Sequence, residues 1–101
     1  MDILSHIKQL VIRGQYLFTF KADAELYANG LDQADAIESI INAKRIEKTL
    51  ASRNPHNGKR EKLYVIKGKT FSNIVLYTKG KIAKSDHKEM LYILISAKRS
   101  T

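Results

Sequence analysis

An α+β fold follows from three features of this sequence. Apolar residues recur at helical spacing up to Ala43, they alternate in twos after Lys44, and the charge changes sign at about the same point. The 101 residues, 44% of them apolar, suit one small domain, residues 1–101, with a helical half at 1–43 and a basic sheet half at 44–101. About three N-terminal helices packed on a C-terminal four-stranded antiparallel sheet are therefore expected.

Behind Asp2, a plausible N-cap, Ile3, Ile7, Leu10 and Val11 sit on one face of a short helix, and Gly14 is placed to end it. Gln15 to Phe20 alternates weakly and reads either as an extended link or as a short edge strand. Ala22, Leu26 and Tyr27 mark a second helix, closed by Asn29-Gly30, the pair best able to adopt the left-handed C-terminal conformation. Asp32 caps a third helix running to Ala43, with Asp35 favouring the macrodipole in its first turn and Ala36, Ile37, Ile40 and Ile41 as its apolar stripe. Strands are expected over Arg45–Leu50, Lys62–Lys67, Asn73–Thr78 and Met90–Lys98. The turns between them are read at Asn54-Pro55-His56-Asn57-Gly58, at Gly68-Lys69 and at Lys79-Gly80-Lys81, with Lys81–Lys88 as a polar loop. Short links favour a meander, because parallel pairing needs a crossover of about a dozen residues or more.

Three basic and six acidic residues give residues 1–43 a net charge of −3, whereas 15 basic and four acidic residues give residues 44–101 a net of +11, which together make the formal +8. Solubility alone does not require the excess to gather in one half, so a polyanionic partner is expected there. The chain contains no Cys, which removes disulfide, zinc-knuckle and iron–sulfur chemistry and fits a reducing compartment. Met90–Ala97 is far shorter than the roughly 20 apolar residues that span a bilayer, and the N-terminal residues lack a basic-then-apolar leader pattern. A cytoplasmic location without membrane contact is expected. GxGxxG, GxxxxGK[ST], HExxH and GxSxG patterns are absent, and Glu47, Glu61, Asp86 and Glu89 show no metal-ligand grouping, so neither cofactor nor metal is expected.

Chemistry must then come from Lys, Arg, His and Tyr. Alternation places Lys48 with Ile46 and Leu50, where partial desolvation lowers an ammonium's proton affinity; the competing reading is a stem that covers the sheet while its charge reaches water. On the last strand, alternation assigns Leu91, Ile93, Ile95 and Ala97 to a helix-covered core, leaving Tyr92, Leu94, Ser96 and Lys98 on a second, half-polar face. Tyr64 and Tyr77 can join Tyr92 there, forming an aromatic and cationic floor with Lys48, Lys98 and Arg99, of a type that holds single-stranded nucleic acid. The Arg53, His56, Lys59 and Arg60 loop, with Lys62 beyond it, suits backbone phosphates. His56, His87 and His6 read more simply as solvated residues than as catalysts.

The run Leu4-Ser5-His6-Ile7-Lys8-Gln9-Leu10-Val11-Ile12-Arg13-Gly14-Gln15, the helix ending at Asn29-Gly30-Leu31-Asp32 and the closing Ile93-Leu94-Ile95-Ser96-Ala97-Lys98 together resemble the MqsR toxins of toxin–antitoxin pairs. They also resemble related small uncharacterised domains with RelE-like folds. The likeness extends over nearly the full length, and its sharpest stretch is the first run. It implies a RelE-like arrangement and a metal-free mRNA endoribonuclease, ribosome-independent or ribosome-assisted, inhibited by a cognate acidic or DNA-binding antitoxin. In that pattern the lysines of the first and last strands fall on Lys48 and Lys98. The expected glutamine falls near Glu61 and the expected tyrosine near Ile74, with Tyr77 the nearest substitute.

Metal-free RNA cleavage uses the 2′-hydroxyl as nucleophile, so a protein must take one proton, stabilise a dianionic phosphorane and protonate the leaving oxygen. Lys48 is assigned to base or phosphate stabilisation, Lys98 and Arg99 to the transition-state phosphate, and Tyr77 to orientation or proton donation. Arg53 and Arg60 hold flanking phosphates. Two alternatives stand beside this: a non-catalytic RNA- or DNA-binding module of the same fold, and a toxin acting on a protein such as a topoisomerase.

Overall fold

The computed structural model describes residues 2–87 and 89–100. Its elements in chain order are α1 (Ile3–Ile12), β1 (Tyr16–Phe18), α2 (Phe20–Ala28), α3 (Gln33–Asn42), β2 (Lys48–Arg53), β3 (Arg60–Lys69), β4 (Val75–Lys84) and β5 (Met90–Arg99). The architecture is α+β, with three helices against a five-stranded mixed sheet of order β1-β5-β4-β3-β2.

Local chemistry places the helices. The Asp2 carboxylate accepts the Ser5 N–H at 2.8 Å, and the Thr19 hydroxyl accepts the Ala22 N–H at 3.1 Å. Asp32 and Asp35 form a reciprocal capping box, each carboxylate accepting the other residue's N–H at 3.0 Å. These caps satisfy N–H groups that the first turn leaves without carbonyl partners. Gly14 and Gly30 carry the left-handed conformation at the ends of α1 and α2, with φ of 75° and 71°.

The four-stranded expectation is corrected by a fifth strand. Residues 16–18 are not a free link: they run parallel to β5, with Tyr16, Leu17 and Phe18 opposite Tyr92, Ile93 and Leu94. The Tyr92 N–H donates to the Gln15 carbonyl and the Thr19 N–H to the Leu94 carbonyl, both at 3.0 Å, which pins the short strand at both ends. The remaining neighbours pair antiparallel.

Two expected turns lie inside strands. Gly68-Lys69 belongs to β3, and Lys79-Gly80-Lys81 is the middle of β4. Their glycines are required by close packing. A methyl at Gly68 would meet the Ser39 carbonyl oxygen of α3 at 1.8 Å, and one at Gly80 would meet the Tyr92 ring at 2.5 Å. The β3–β4 connection is instead the turn at residues 70–74, and β4 continues through Lys84 into the segment expected to be a loop. Lys88, the end of that expected loop, lies outside the described residues.

Helix-facing residues of the sheet, Tyr64, Ile66, Leu76, Tyr92, Leu94 and Ala97, pack with Ile7, Leu10, Val11, Leu26, Ala36 and Ile40 into the core. The facing of β5 differs from the simple alternation. Lys79 pairs with Ser96 but the next residue, Gly80, pairs with Leu94, so Ile95 is an extra residue in a bulge. The bulge resets the period: Tyr92 and Leu94 point at the helices, Leu91 and Ile93 do not, and beyond it Ala97 is again internal and Lys98 external. No helix among the described residues is long and apolar enough to cross a membrane.

Candidate functional site

The sheet face opposite the helices is built in rows by the strand register. Lys48 pairs with Val65, and Val65 with Lys79; one row along, Lys67 pairs with Tyr77, and Tyr77 with Lys98. Residues that pair directly point to the same face, so four lysines and a tyrosine from four strands share one surface. Val65 is fully buried on this open face yet belongs to no part of the helix-side core. Its direct cross-strand neighbours are Lys48 and Lys79, and long lysine stems cover apolar surface on an uncovered sheet while their charges reach water.

A cavity of about 390 Å³ opens here, lined by Glu47, Lys48, Val65, Lys67, Tyr77, Lys98, Arg99 and Ser100. The Lys98 Nζ stands 5.6 Å from the centroid of the Tyr77 ring, a cation–π contact that orients both groups. Arg99 comes from the opposite face and reaches the rim, where its Nε donates to the Asn29 carbonyl at 3.4 Å and its N–H donates to the Asn29 Oδ1 at 3.2 Å. The two ion pairs among the described residues are Arg45 with Glu47 at 3.5 Å and Lys81 with Glu61 at 3.0 Å. Neither engages Lys48, Lys67, Lys79 or Lys98; the one carboxylate in the lining, Glu47, is paired with Arg45, and the excess of positive charge suits an anion.

Two carboxylates near this region are held in their charged form. Partial burial opposes ionisation of Glu25, but the Ser96 hydroxyl at 2.6 Å, the Ala97 N–H at 3.2 Å and the charges of Lys21 and Lys98 outweigh it and lower its pKa. Glu25 thereby ties α2 to the bulged part of β5. Glu61 is lowered by the Asn54 side-chain amide at 2.6 Å and by Lys81, against a smaller effect of burial.

Of the residues assigned from the sequence, Lys48, Tyr77, Lys98 and Arg99 line the one cavity. Tyr64 and Tyr92 do not, and their assignment to RNA is corrected: both face the helices, exposed by 8% and 0%. The bulge turns Tyr92 inward, and the Tyr64 position on β3 is one residue out of phase with Lys48 and Val65. The Tyr92 hydroxyl is buried without a hydrogen-bond partner, and that burial pushes its pKa far above the ordinary phenol value.

Arg53 and Arg60 face each other at the far end of the β2–β3 hairpin, about 16 Å along β2 from Lys48 at the usual rise per residue. His56 and Lys59 are exposed in the connecting turn, and Lys62 pairs with Ala51, out of phase with Lys48. They form a second basic cluster separate from the cavity. Ile74, with its N–H donated to the Thr70 hydroxyl at 3.1 Å, sits in the β3–β4 turn and Glu61 pairs with Ser52, so neither lines the cavity.

Lys67, Lys79 and Val65 carry no assignment from sequence. Their signal was the shared phase of Lys67 and Val65 on β3, which becomes informative only once the register with Lys48 is known. The cavity lining contains no histidine, and no group of three or more His, Cys, Asp or Glu among the described residues is placed to hold a metal ion. No family model matches this chain, and neither a curated protein nor a solved structure matches it.

Proposed function

We propose that this chain is a metal-independent endoribonuclease acting on single-stranded RNA, the toxin member of a toxin–antitoxin pair with a RelE-like arrangement of its sheet and helices. The observation that supports it is the meeting of Lys48, Lys67, Tyr77 and Lys98, with Arg99 at the rim, in one cavity on an uncovered sheet face. Such a cluster suits a scissile phosphate. Lys67 and Lys98, on either side of Tyr77, offset charge on the phosphorane, the Tyr77 hydroxyl donates to or orients an oxygen, and Lys48 on the adjacent row serves the 2′-hydroxyl. An acidic antitoxin matches the same surface by charge, and mRNA presented by the ribosome is a second route to the substrate.

The test is cleavage of an end-labelled single-stranded RNA in excess EDTA by wild type, Lys48→Ala and Lys98→Ala. Each proton-transfer role is worth about 10²–10⁴ in rate, so defined fragments are expected from wild type and a loss of that order from each variant. Intact RNA in all three samples, with and without ribosomes, removes the nuclease reading.

One observation favours a second reading, a basic module that binds RNA without cutting it. The cavity lacks a histidine, the side chain whose ordinary pKa suits proton transfer near neutrality. Gradual loss of affinity with each lysine removed, and no cleavage, distinguishes that module.

A further inference from the structure

A second groove, about 660 Å³, continues from the lysine cavity around the end of the sheet and shares Glu47 and Lys67 with it. Lys44, Arg45, Lys69 and Phe71 also line it. Phe71 is 74% exposed, although it belongs to a turn whose backbone N–H groups are all engaged. Its N–H donates to the Glu38 carboxylate at 3.0 Å, the Thr70 N–H donates to the Ile74 carbonyl at 2.9 Å, and the Asn73 N–H donates to the Thr70 carbonyl at 3.0 Å. The buried Thr70 hydroxyl accepts the Ser72 and Ile74 N–H groups, and the Asn42 amide donates to the Lys69 carbonyl at 2.8 Å. Asn73 takes the left-handed conformation, φ 65°, that closes the turn.

The ring is thus held out from a fixed base with no packing role in the core. Its neighbours in the groove include four cations and one carboxylate, Glu47; Arg45 is paired with Glu47, and Lys44, Lys67 and Lys69 have no ion-pair partner among the described residues. An aromatic face on a rigid support among lysines meets both demands of an unpaired nucleotide: a flat apolar surface for the base and positive charge for its phosphate. The turn begins three residues beyond Lys67 on β3, about 10 Å from the Lys67–Tyr77 row, within reach of a nucleotide next to the one in the cavity. A duplex keeps its bases stacked on each other and cannot offer one to the ring.

We infer that Phe71 is a base-stacking platform for a nucleotide flanking the lysine cavity, and that it makes the protein select single-stranded over duplex RNA. This rests on the proposed RNA-binding function. The chain contains no tryptophan, so Phe71→Trp introduces a single fluorescent reporter at the platform.

The experiment titrates a 12-nucleotide single-stranded RNA, and the same strand in a blunt duplex, into wild type, Phe71→Ala and Phe71→Trp, reading RNA anisotropy and tryptophan emission. Phe71→Ala is expected to bind the single strand about 5- to 100-fold more weakly, with duplex affinity changed less than about two-fold. Phe71→Trp is expected to keep wild-type affinity, with its emission quenched by the single strand and not by the duplex. Wild-type affinity in Phe71→Trp without quenching of its emission by the single strand, or an unchanged single-strand affinity in Phe71→Ala, overturns the platform alone. Absence of RNA binding by wild type overturns the RNA-binding function and the platform with it.

Discussion

Replacing Gly68 by Ala drives α3 away from the sheet that carries the lysine cavity. The added methyl lies 1.8 Å from the Ser39 carbonyl oxygen, 2.8 Å from its carbon and 3.3 Å from its Cα. Ordinary contact begins at 3.4 Å, so the helix must retreat by the difference between 3.4 and 1.8 Å, or 1.6 Å. The obstacle is main chain, and no rotamer of Ser39 removes it. Inserted methyl groups in packed interiors cost about 1–3 kcal/mol, and a shift of this size through buried Ala36, Ser39 and Ile40 belongs at the upper end, about 3 kcal/mol. For a domain of this length that lowers Tm by about 12–24 °C, taking about 4–8 °C per kcal/mol. Thermal unfolding followed by far-ultraviolet circular dichroism measures it, with Gly58→Ala beside it. Gly58 has φ 69° and open space around it, so Ala there costs only the left-handed penalty, about 1–2 kcal/mol. A Gly68→Ala protein melting within about 4 °C of wild type, or no lower than Gly58→Ala, refutes the close-packing account of this glycine.

Tyr92→Phe removes a buried hydroxyl that has no partner, so Tm should stay level or rise by up to about 1 kcal/mol equivalent; a loss of that size reveals a hydrogen bond at the hydroxyl. The lowered pKa of Glu25 means the native state binds its proton more weakly than the unfolded chain does. Its stabilisation is therefore complete above the unfolded carboxylate pKa, near 4.5, and disappears as pH falls through the lower folded value. Urea unfolding should show Glu25→Gln less stable by about 1 kcal/mol at pH 7, converging with wild type in acid, and a gap that persists in acid contradicts the assignment. Lys67→Ala should weaken RNA binding and reduce the slope of log K against log salt by about 0.7, the value for one phosphate contact on a single strand; an unchanged slope removes Lys67 from the interface.

The helical half of the fold was legible because its information is local. Asp2, Asp32 with Asp35, and Gly30 act within a turn of their own position, and the structure uses each in that way. The sheet half depends on contacts distant in sequence. Gly68 and Gly80 read as turn glycines because the reason for them, Ser39 of α3 and the Tyr92 ring, lies elsewhere in the chain. Tyr16–Phe18 was ambiguous because a three-residue strand has too few alternations to read and takes its identity from β5. Lys48 and Lys98 were found as candidates, but Lys67 and Lys79 join them only through register, which a single sequence does not state.

The bulge at Ile95 makes the largest difference between pattern and structure, and its position leads to a test. In β4 the alternation is unbroken: Leu76, Thr78, Gly80 and Ile82 face the helices, and Tyr77, Lys79 and Lys81 face away. Removing Ile95 leaves Leu94 opposite Gly80 and Ser96 opposite Lys79, a regular ladder in which Tyr92 stays internal and Lys98 stays beside Tyr77. The losses are the Thr19 hydroxyl bond to the Ile95 carbonyl at 3.3 Å, a half-buried side chain and some disturbance of the Glu25 contacts, together about 2–4 kcal/mol. Removing Ile93 as well as Ile95 leaves no extra residue to absorb the loss, places Tyr92 opposite Lys81 on the open face and brings Leu91 inward opposite Ile82. Expelling a fully buried aromatic of about 150–250 Å² forfeits about 4–6 kcal/mol before the cavity it leaves is counted, which approaches the whole stability of a small domain. Deletion of Ile95 is therefore expected to give a destabilised but cooperatively unfolding protein that still binds RNA, and deletion of both Ile93 and Ile95 one without a cooperative transition. Equal damage from the two deletions contradicts the bulge as the device that turns an apolar β5 inward at Tyr92 and outward at Lys98.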